Sequence, residues 1–327
     1  MVTTSLFENQ LAAAREALAQ GNFQAVRTAA RNGLVAAIAC RDKHGQAKAS
    51  LLLGQALTLE SKMHWARQFI TGAQALFLEA QDPAGISDCL LTLSYVNSAL
   101  GRNDSALRSA SDVVAGSGGI DRRSAAGLNY YGVASFWTHD YGTAGGVLGA
   151  ACQLAVEETG NAAATFQPLT NSCFNEVLRV TDSQLKGDRV DGLELARRVF
   201  QSKALVREGA TGTLMKGSAD AGMFLLEFVS CFLATRTGQT AEADTHYLGC
   251  LERARMLPPT NWMQALVWWA RLERAEDAGE MGEAVASANA MVAVAQKGEH
   301  VPLRAFAERL RAANRAAHRA NHSFLRG

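Results

Sequence analysis

The stretch GVASFWTHDYGTAGGVLGAACQLA, from Gly132 to Ala155, decides between a nucleotide-binding loop and a packed helix. Its second half is rich in glycine, at Gly142, Gly145, Gly146 and Gly149, as phosphate-cradling loops are. Dinucleotide loops need G-x-G-x-x-G directly after a strand, whereas the apolar residues here recur at helical spacing with no β-branched run before them. We therefore predict a helix. Its last three glycines cost about 3 kcal/mol relative to alanine, and we expect close helix–helix approach to compensate.

The same pattern recurs along the chain. A turn-forming residue is followed four or five residues later by a small residue inside a new helix, as in Gly101 with Ala106. Seven such anchors recur at a spacing near 40, which indicates a solenoid of repeated units. The anchors are Ala25, Ala66, Ala106, Ala144, Gly192, Ala243 and Ala284, separated by 41, 40, 38, 48, 51 and 41 residues. Apolar residues have helical spacing on both sides of each turn. The predicted fold is all-α: a superhelical solenoid of about seven antiparallel helix pairs over residues 1–299, then an amphipathic helix over residues 300–327.

Composition narrows the function classes. The 327 residues include only five prolines, and 48% are hydrophobic, which suits long packed helices. A net charge of +1 gives no general attraction to nucleic acid or to an anionic membrane. We find neither a signal peptide pattern nor an apolar run of roughly 20 residues. Six scattered cysteines predict free, mostly buried thiols, without a metal site or cofactor, and a cytoplasmic location.

Several residues share fixed intervals of 12, 4 and 3. The sets are Gly54, Ala66, Ile70 and Ala73; Gly132, Ala144, Leu148 and Ala151; and Cys231, Ala243, Tyr247 and Cys250. These residue types and intervals resemble the tetratricopeptide repeat over roughly residues 5 to 298. The period is nearer 40 than 34, and the proline that closes the family's repeat is mostly absent. Units of this longer kind are similar to the repeat regions of bacterial signalling and regulatory proteins.

The resemblance implies that the first helix of each unit lines a concave groove. Carrying over the family's groove positions, and adding an i, i+4 amide pair, gives a candidate ligand groove of Tyr95, Asn129, Val133, Phe136, Trp137, Asn171 and Asn175. The lysine- and asparagine-rich clamp that some relatives use for a peptide carboxylate is not reproduced. The expected ligand is a peptide or protein segment. Two alternatives stay open: the aromatic residues form a core stripe, and the two later asparagines tie down a neighbouring loop.

The tail has its own pattern. An apolar seam steps by 3 and 4 residues through Leu303, Phe306, Leu310, Ala313, Ala317, Ala320 and Phe324. A heptad seam of this kind fits a helix that caps the solenoid, or a parallel coiled coil that forms a homodimer. An arginine-rich arm for nucleic acid is the least favoured reading, because the arginines lack interleaved aromatics apart from Phe324. A helical array followed by such a helix resembles the N-terminal sensory regions of bacterial diguanylate cyclases.

Sequence motifs give no support for an enzyme. The stretch from Gly209 to Gly222 lacks the lysine that a phosphate-binding loop requires after its last glycine. The histidine pair His318 and His322 has no acidic or thiol companion, which predicts surface residues. We therefore predict a non-enzymatic binding scaffold or sensor module. The alternative is the regulatory part of a signalling protein whose output is dimerisation of the tail.

Overall fold

A computed structural model describes the backbone of residues 2–116, 122–188, 193–207, 216–256 and 260–324, and the side chains of residues 7–116, 124–188, 194–207, 219–256 and 260–318. The fold is all-α over these residues, without a strand. In the described ranges, none of the helices combines the length and hydropathy needed to cross a membrane. The helices are α1 (Val2–Ala19), α2 (Phe23–Ala39), α3 (Lys43–Leu59), α4 (Met63–Glu79), α5 (Pro83–Ala99), α6 (Asn103–Gly116), α7 (Arg122–Trp137), α8 (Tyr141–Thr159), α9 (Phe166–Leu185), α10 (Leu193–Arg207), α11 (Lys216–Arg236), α12 (Thr240–Met256), α13 (Asn261–Asp277), α14 (Met281–Lys297) and α15 (Val301–Phe324), with a 3₁₀ turn at Ala162–Thr165 before α9.

Seven helix pairs, α1/α2 to α13/α14, form the predicted units, and α15 follows them. We call the first helix of each pair the A helix and the second the B helix. Most connections are tight turns in which one residue has a left-handed backbone, two residues before the next helix begins. Over the first 101 residues these positions are 20 residues apart, at Gly21, Arg41, Ser61, Gln81 and Gly101.

Side-chain caps explain why several helices begin where they do. Asp82 Oδ1 accepts a hydrogen bond of 3.0 Å from the Gly85 N–H, and Pro83 occupies the first turn of α5. Asp140 caps α8 in the same way through the Thr143 N–H. The glycine-rich stretch that follows is therefore the interior of α8, and the helix prediction is confirmed.

Buried residues on the B helices show how each unit packs. Three positions at intervals of 4 and 3 face the A helix, such as Ala66, Ile70 and Ala73 on α4, all 0% exposed. These buried positions show that two of the seven predicted anchor residues were wrongly placed. In the first unit the buried anchor is Val26, because Ala25 is only half-buried. In the fifth unit Leu195 has the anchor position, with Val199 and Ser202 at the same intervals after it, and Gly192 lies outside the described residues.

The glycines of α7 and α8 do not all act as predicted. A Cβ atom at Gly132 on α7 would lie 2.5 Å from Leu148 Cγ, so this glycine does permit close helix approach. Gly146 and Gly149 have no neighbouring atom within 4 Å of such a Cβ, and at Gly145 the nearest is 3.6 Å away. The expected compensation by close packing is therefore wrong for these three positions. Gly146 and Gly149 face open space, and Gly145 makes only an ordinary contact, because the buried stripe of α8 runs through Ala144, Leu148, Ala151 and Ala155 instead.

The solenoid is curved, and its A helices are on the inside of the curve. Successive A helices pack against one another, from α1 with α3 to α11 with α13, whereas successive B helices lie further apart. The curvature brings distant units together. Contacts join α1 to α11 and α5 to α15, and the Glu299 carboxylate accepts a hydrogen bond of 3.1 Å from the His64 N–H.

Candidate ligand-binding groove

The inner face of units 2 and 3 is open. On α3, Lys48 and Gln55 are half-buried at the inward-facing positions, and on α5 the corresponding positions hold Asp88, Leu91 and Tyr95, which are also half-buried. We call this surface the inner groove. It combines one cation, one carboxylate, an amide and a phenol around an apolar centre, which suits the backbone and side chains of a peptide.

Tyr95 stands at the border between the open surface and the core. Its ring packs edge-on against Tyr130 of α7, with 6.4 Å between ring centroids. Burial, and secondarily the neighbouring Tyr130, raises the pKa of the Tyr95 hydroxyl above its ordinary value. The hydroxyl is therefore protonated at neutral pH and can donate a hydrogen bond to a ligand carbonyl.

The inner face of units 4 to 7 is filled by the chain itself. Phe174 of α9 packs against Phe136 at 5.6 Å and against Phe228 of α11 at 6.1 Å between ring centroids. Trp269 of α13, fully buried, packs against Phe228 at 5.2 Å and against Phe306 of α15 at 4.8 Å. These rings fill the space in which an open solenoid would hold a ligand.

Four of the predicted groove residues lie at this filled end. Val133 and Phe136 are 8% and 3% exposed and belong to the core, so they contribute packing and leave no surface for a ligand. Trp137 is half-buried, with its ring 5.0 Å from the ring of His300. The fully buried Asn175 donates from Nδ2 to the Tyr141 carbonyl at 3.1 Å, which ties α9 to the start of α8.

The remaining predicted amides form a pair beside the inner groove. Asn171 Nδ2 of α9 donates to Asn129 Oδ1 of α7 at 2.9 Å. Asn129 is buried and Asn171 is half-buried, so only the second side chain can reach a ligand directly. The structure thus brings Tyr95, Asn129 and Asn171 onto three successive A helices.

The predicted seam of α15 divides into two parts. Leu303, Phe306 and Leu310 are buried in the core, whereas Ala313 and Ala317 are exposed. The buried stripe continues at Asn314, whose amide donates to the Glu276 carboxylate. Backbone positions 320 and 324 lie within α15, and the side chains of Ala320, His322 and Phe324 lie outside the described residues.

An ion cluster that sequence reasoning missed holds α15 in place. The Asp182 carboxylate at the end of α9 is 2% exposed and accepts from Arg309 of α15, which is 127 residues away in sequence. Lys186 Nζ lies 3.0 Å from the same carboxylate and His139 Nδ1 3.8 Å. Burial alone would raise the pKa of Asp182, but the hydrogen bonds from Lys186 and Arg309 lower it overall. Because Asp182 and Arg309 are 127 residues apart, no local sequence pattern could predict their ion pair.

The cysteines are not poised for chemistry. All six lie in the described ranges with free thiols, and Cys40 alone among them is exposed. Burial raises the pKa of Cys89, Cys173 and Cys231 to about 12, so these thiols are protonated and poorly nucleophilic. Of the stretch from Gly209 to Gly222, residues 209–215 lie outside the described residues and the rest begins α11.

Comparisons with solved structures identify the fold. The chain is similar to a Rap protein complexed with Competence and Sporulation Factor, with a TM-score of 0.59 and 13% identity over 95% of this chain and 87% of the other. It is also similar to a tetratricopeptide repeat protein from Parabacteroides merdae, with a TM-score of 0.49 and 12% identity over 95% and 99%. No protein-family model matches the chain, and neither does any curated protein sequence. At this identity the likeness to the Rap protein concerns the fold alone, and with the seven stacked helix pairs it shows an all-α solenoid with a tetratricopeptide-like fold.

Proposed function

We propose that the chain is a non-enzymatic scaffold or sensor module that binds a peptide or protein segment in its inner groove. The observation that carries this proposal is the contrast between the two ends of the inner face. The inner face of units 2 and 3 leaves polar and aromatic side chains half-exposed, while the inner aromatic rings of units 4 to 7 are buried against one another.

The chemistry of the open end favours a peptide. Gln55 and Tyr95 occupy the same position of successive A helices, two helical turns beyond Lys48 and Asp88. Two polar layers with Leu91 between them match an extended peptide, which offers backbone hydrogen-bonding groups at regular intervals. The Rap protein with bound Competence and Sporulation Factor gives a precedent for a partner held by this fold.

A selection experiment tests the proposal. A random decapeptide library is displayed on phage and selected on the full-length protein, and Kd values of the recovered peptides are measured by calorimetry. Tyr95→Ala should weaken them about tenfold or more, because it removes an aromatic contact and a hydroxyl donor from the groove. Gln55→Ala should weaken them less, by about threefold to tenfold, since one net hydrogen bond contributes about 1 kcal/mol.

Phe200→Ala is the matched control. Phe200 is an exposed aromatic on the B helix α10, away from the inner face, so its removal should leave the Kd values unchanged. Failure to recover binders, or binders that tolerate Tyr95→Ala as well as Phe200→Ala, would rule out this groove. The proposal places the protein in the cytoplasm, where six free thiols stay reduced.

The alternative of a signalling protein with a dimerising tail depends on the outer half of the seam. Among the seam side chains that the structure describes, Leu303, Phe306 and Leu310 are buried within the chain, whereas Ala313 and Ala317 are exposed to a second copy. We propose capping as the main role of α15, and the homodimer stays a prediction.

A further inference from the structure

A second surface lies on the outside of the curve, between the B helices α2 and α4. Because successive B helices lie apart, a groove of about 820 Å³ opens between these two. Leu53 and Leu57 of α3 form its floor, and Trp65 and Phe69 of α4 form one wall. We call it the outer groove. None of these residues belongs to the inner groove.

The outer groove presents more apolar surface than a neighbouring B helix does at the same positions. Trp65 is 59% exposed, and Phe69, one turn later on the same face of α4, is half-buried. On α6 the positions that correspond to Trp65 and Phe69 are Ser105 and Ser109. The difference lies in the side chains, since the backbone repeat is the same, and clustered exposed apolar residues commonly mark interaction sites.

Positive charge surrounds the outer groove. Arg27 and Lys62 both pair with Glu60, at 3.0 and 2.6 Å, so one carboxylate is shared by two cations. Arg31 also lines the groove and has no ion pair among the described residues. Of the nine residues that line the groove, three are lysine or arginine and none is acidic, and α2 has no acidic residue.

We propose that the outer groove docks an acidic amphipathic α-helix of a partner protein. A helix lying between two parallel helices can place apolar side chains at i, i+3, i+4 and i+7 on Trp65, Phe69 and the leucine floor. Acidic residues flanking that stripe then meet Arg31 and the cations that share Glu60. Nucleic acid fits less well, because an apolar floor gives phosphates no partner and the cations are few.

Two phage libraries test the charge and the shape together. Each displays helices of about 18 residues whose stripe positions vary among Leu, Ile, Met, Phe and Trp, with flanking positions Glu in one library and Lys in the other. Selection on the full-length protein should enrich the Glu library. Selected peptides, labelled and measured by fluorescence anisotropy, should bind at least about tenfold more tightly than their Lys counterparts.

Variants of α4 locate the site. Trp65→Ala should weaken the selected peptides about 30-fold, as expected for an aromatic anchor. Leu78→Ala is the matched control, because Leu78 is equally exposed, at 57%, on the same helix but on its other side. Equal effects of the two variants, or no effect of Trp65→Ala, would overturn the proposal.

Charge reversal tests the cations. Arg31→Glu should abolish the preference for the Glu peptides, whereas Arg67→Glu, on the opposite side of α4, should leave it in place. A Glu library without binders, or tighter binding of a DNA duplex than of any selected peptide, would also refute the docking site. Tyr95→Ala should not affect these peptides, so a failure at the outer groove leaves the inner-groove proposal separately testable.

Discussion

Two glycines in neighbouring helices should respond in opposite directions to the same substitution. Gly146 of α8 has open space around its missing side chain, with no atom within 4 Å of an added Cβ. Alanine favours a helix interior by about 1 kcal/mol over glycine. We therefore expect Gly146→Ala to raise the free energy of unfolding by about 0.5–1 kcal/mol.

Gly132 of α7 should behave differently. An added Cβ would lie 2.5 Å from Leu148 Cγ, which is the branch point of a fully buried side chain and not its flexible end. Forcing an extra carbon into such a contact costs about 1–3 kcal/mol, which outweighs the helix-propensity gain of about 1 kcal/mol. The expected net result of Gly132→Ala is a loss of about 1 kcal/mol.

Urea unfolding followed by circular dichroism at 222 nm measures both effects as shifts of the midpoint. Gly149→Ala serves as a second open-space variant and should match Gly146→Ala. If Gly132→Ala stabilised the protein, or if Gly146→Ala destabilised it, the packing of α7 against α8 described above would be wrong.

Four further expectations follow from the structure. Burial lowers the pKa of His300 to about 4, so the stabilising effect of the neutral ring is complete above the ordinary pKa near 6.5 and is lost as the pH falls toward 4. The variant His300→Asn can still accept the hydrogen bond from the Leu303 N–H but does not titrate. It should therefore flatten that part of a plot of the urea midpoint against pH. Asp182→Asn should lower the free energy of unfolding by about 1–3 kcal/mol, and adding Arg309→Gln should recover part of the loss in a double-mutant cycle. Ala313→Glu with Ala317→Glu should change neither the melting temperature nor the mass from light scattering, because both positions are exposed; a halved mass would establish the coiled-coil dimer. A thiol reagent should label one cysteine quickly in the native protein, and Cys40→Ser should remove that label.

The helix pairs could be predicted because their signals are local. Most units repeat a small residue on the A helix and three buried positions on the B helix, and these lie within about 20 residues of one another. The close packing of Gly132 on the A helix against Leu148 on the B helix is an example of a contact within one unit. The 20-residue spacing of the turns was harder to see, since Arg41, Ser61 and Gln81 have the left-handed backbone that glycine usually adopts.

The site was only partly predictable, because it depends on curvature. Sequence places Tyr95 and Phe136 on the inner faces of their helices, but only the assembled solenoid determines which inner face remains open. Phe136 is covered because Phe174 of the next unit packs onto it. Contacts such as Asp182 with Arg309 follow from the closing of the superhelix and have no counterpart in the repeat pattern.

For the C-terminal helix α15, too, the sequence could not predict which residues other parts of the chain would cover. A heptad pattern predicts a stripe on one side of a helix without identifying what covers it. Core packing accounts for Leu303, Phe306 and Leu310, and the stripe then shifts to Asn314, so the seam has two environments. The sequence could not predict this shift, because small alanine side chains at the later seam positions fit a buried or an exposed surface equally well.

The hydrogen bond between Glu299 and the backbone of His64 spans 235 residues. In an open array each repeat contacts only its neighbours, so folding can begin anywhere and units can be added or removed. Here the second unit is completed only when a residue 235 positions later in the sequence arrives. During synthesis, the helices of the second unit must therefore wait until residue 299 has left the ribosome before they reach their final set of contacts. Deleting an internal unit would shift Glu299 away from His64, so this closing contact constrains the number of repeats between them.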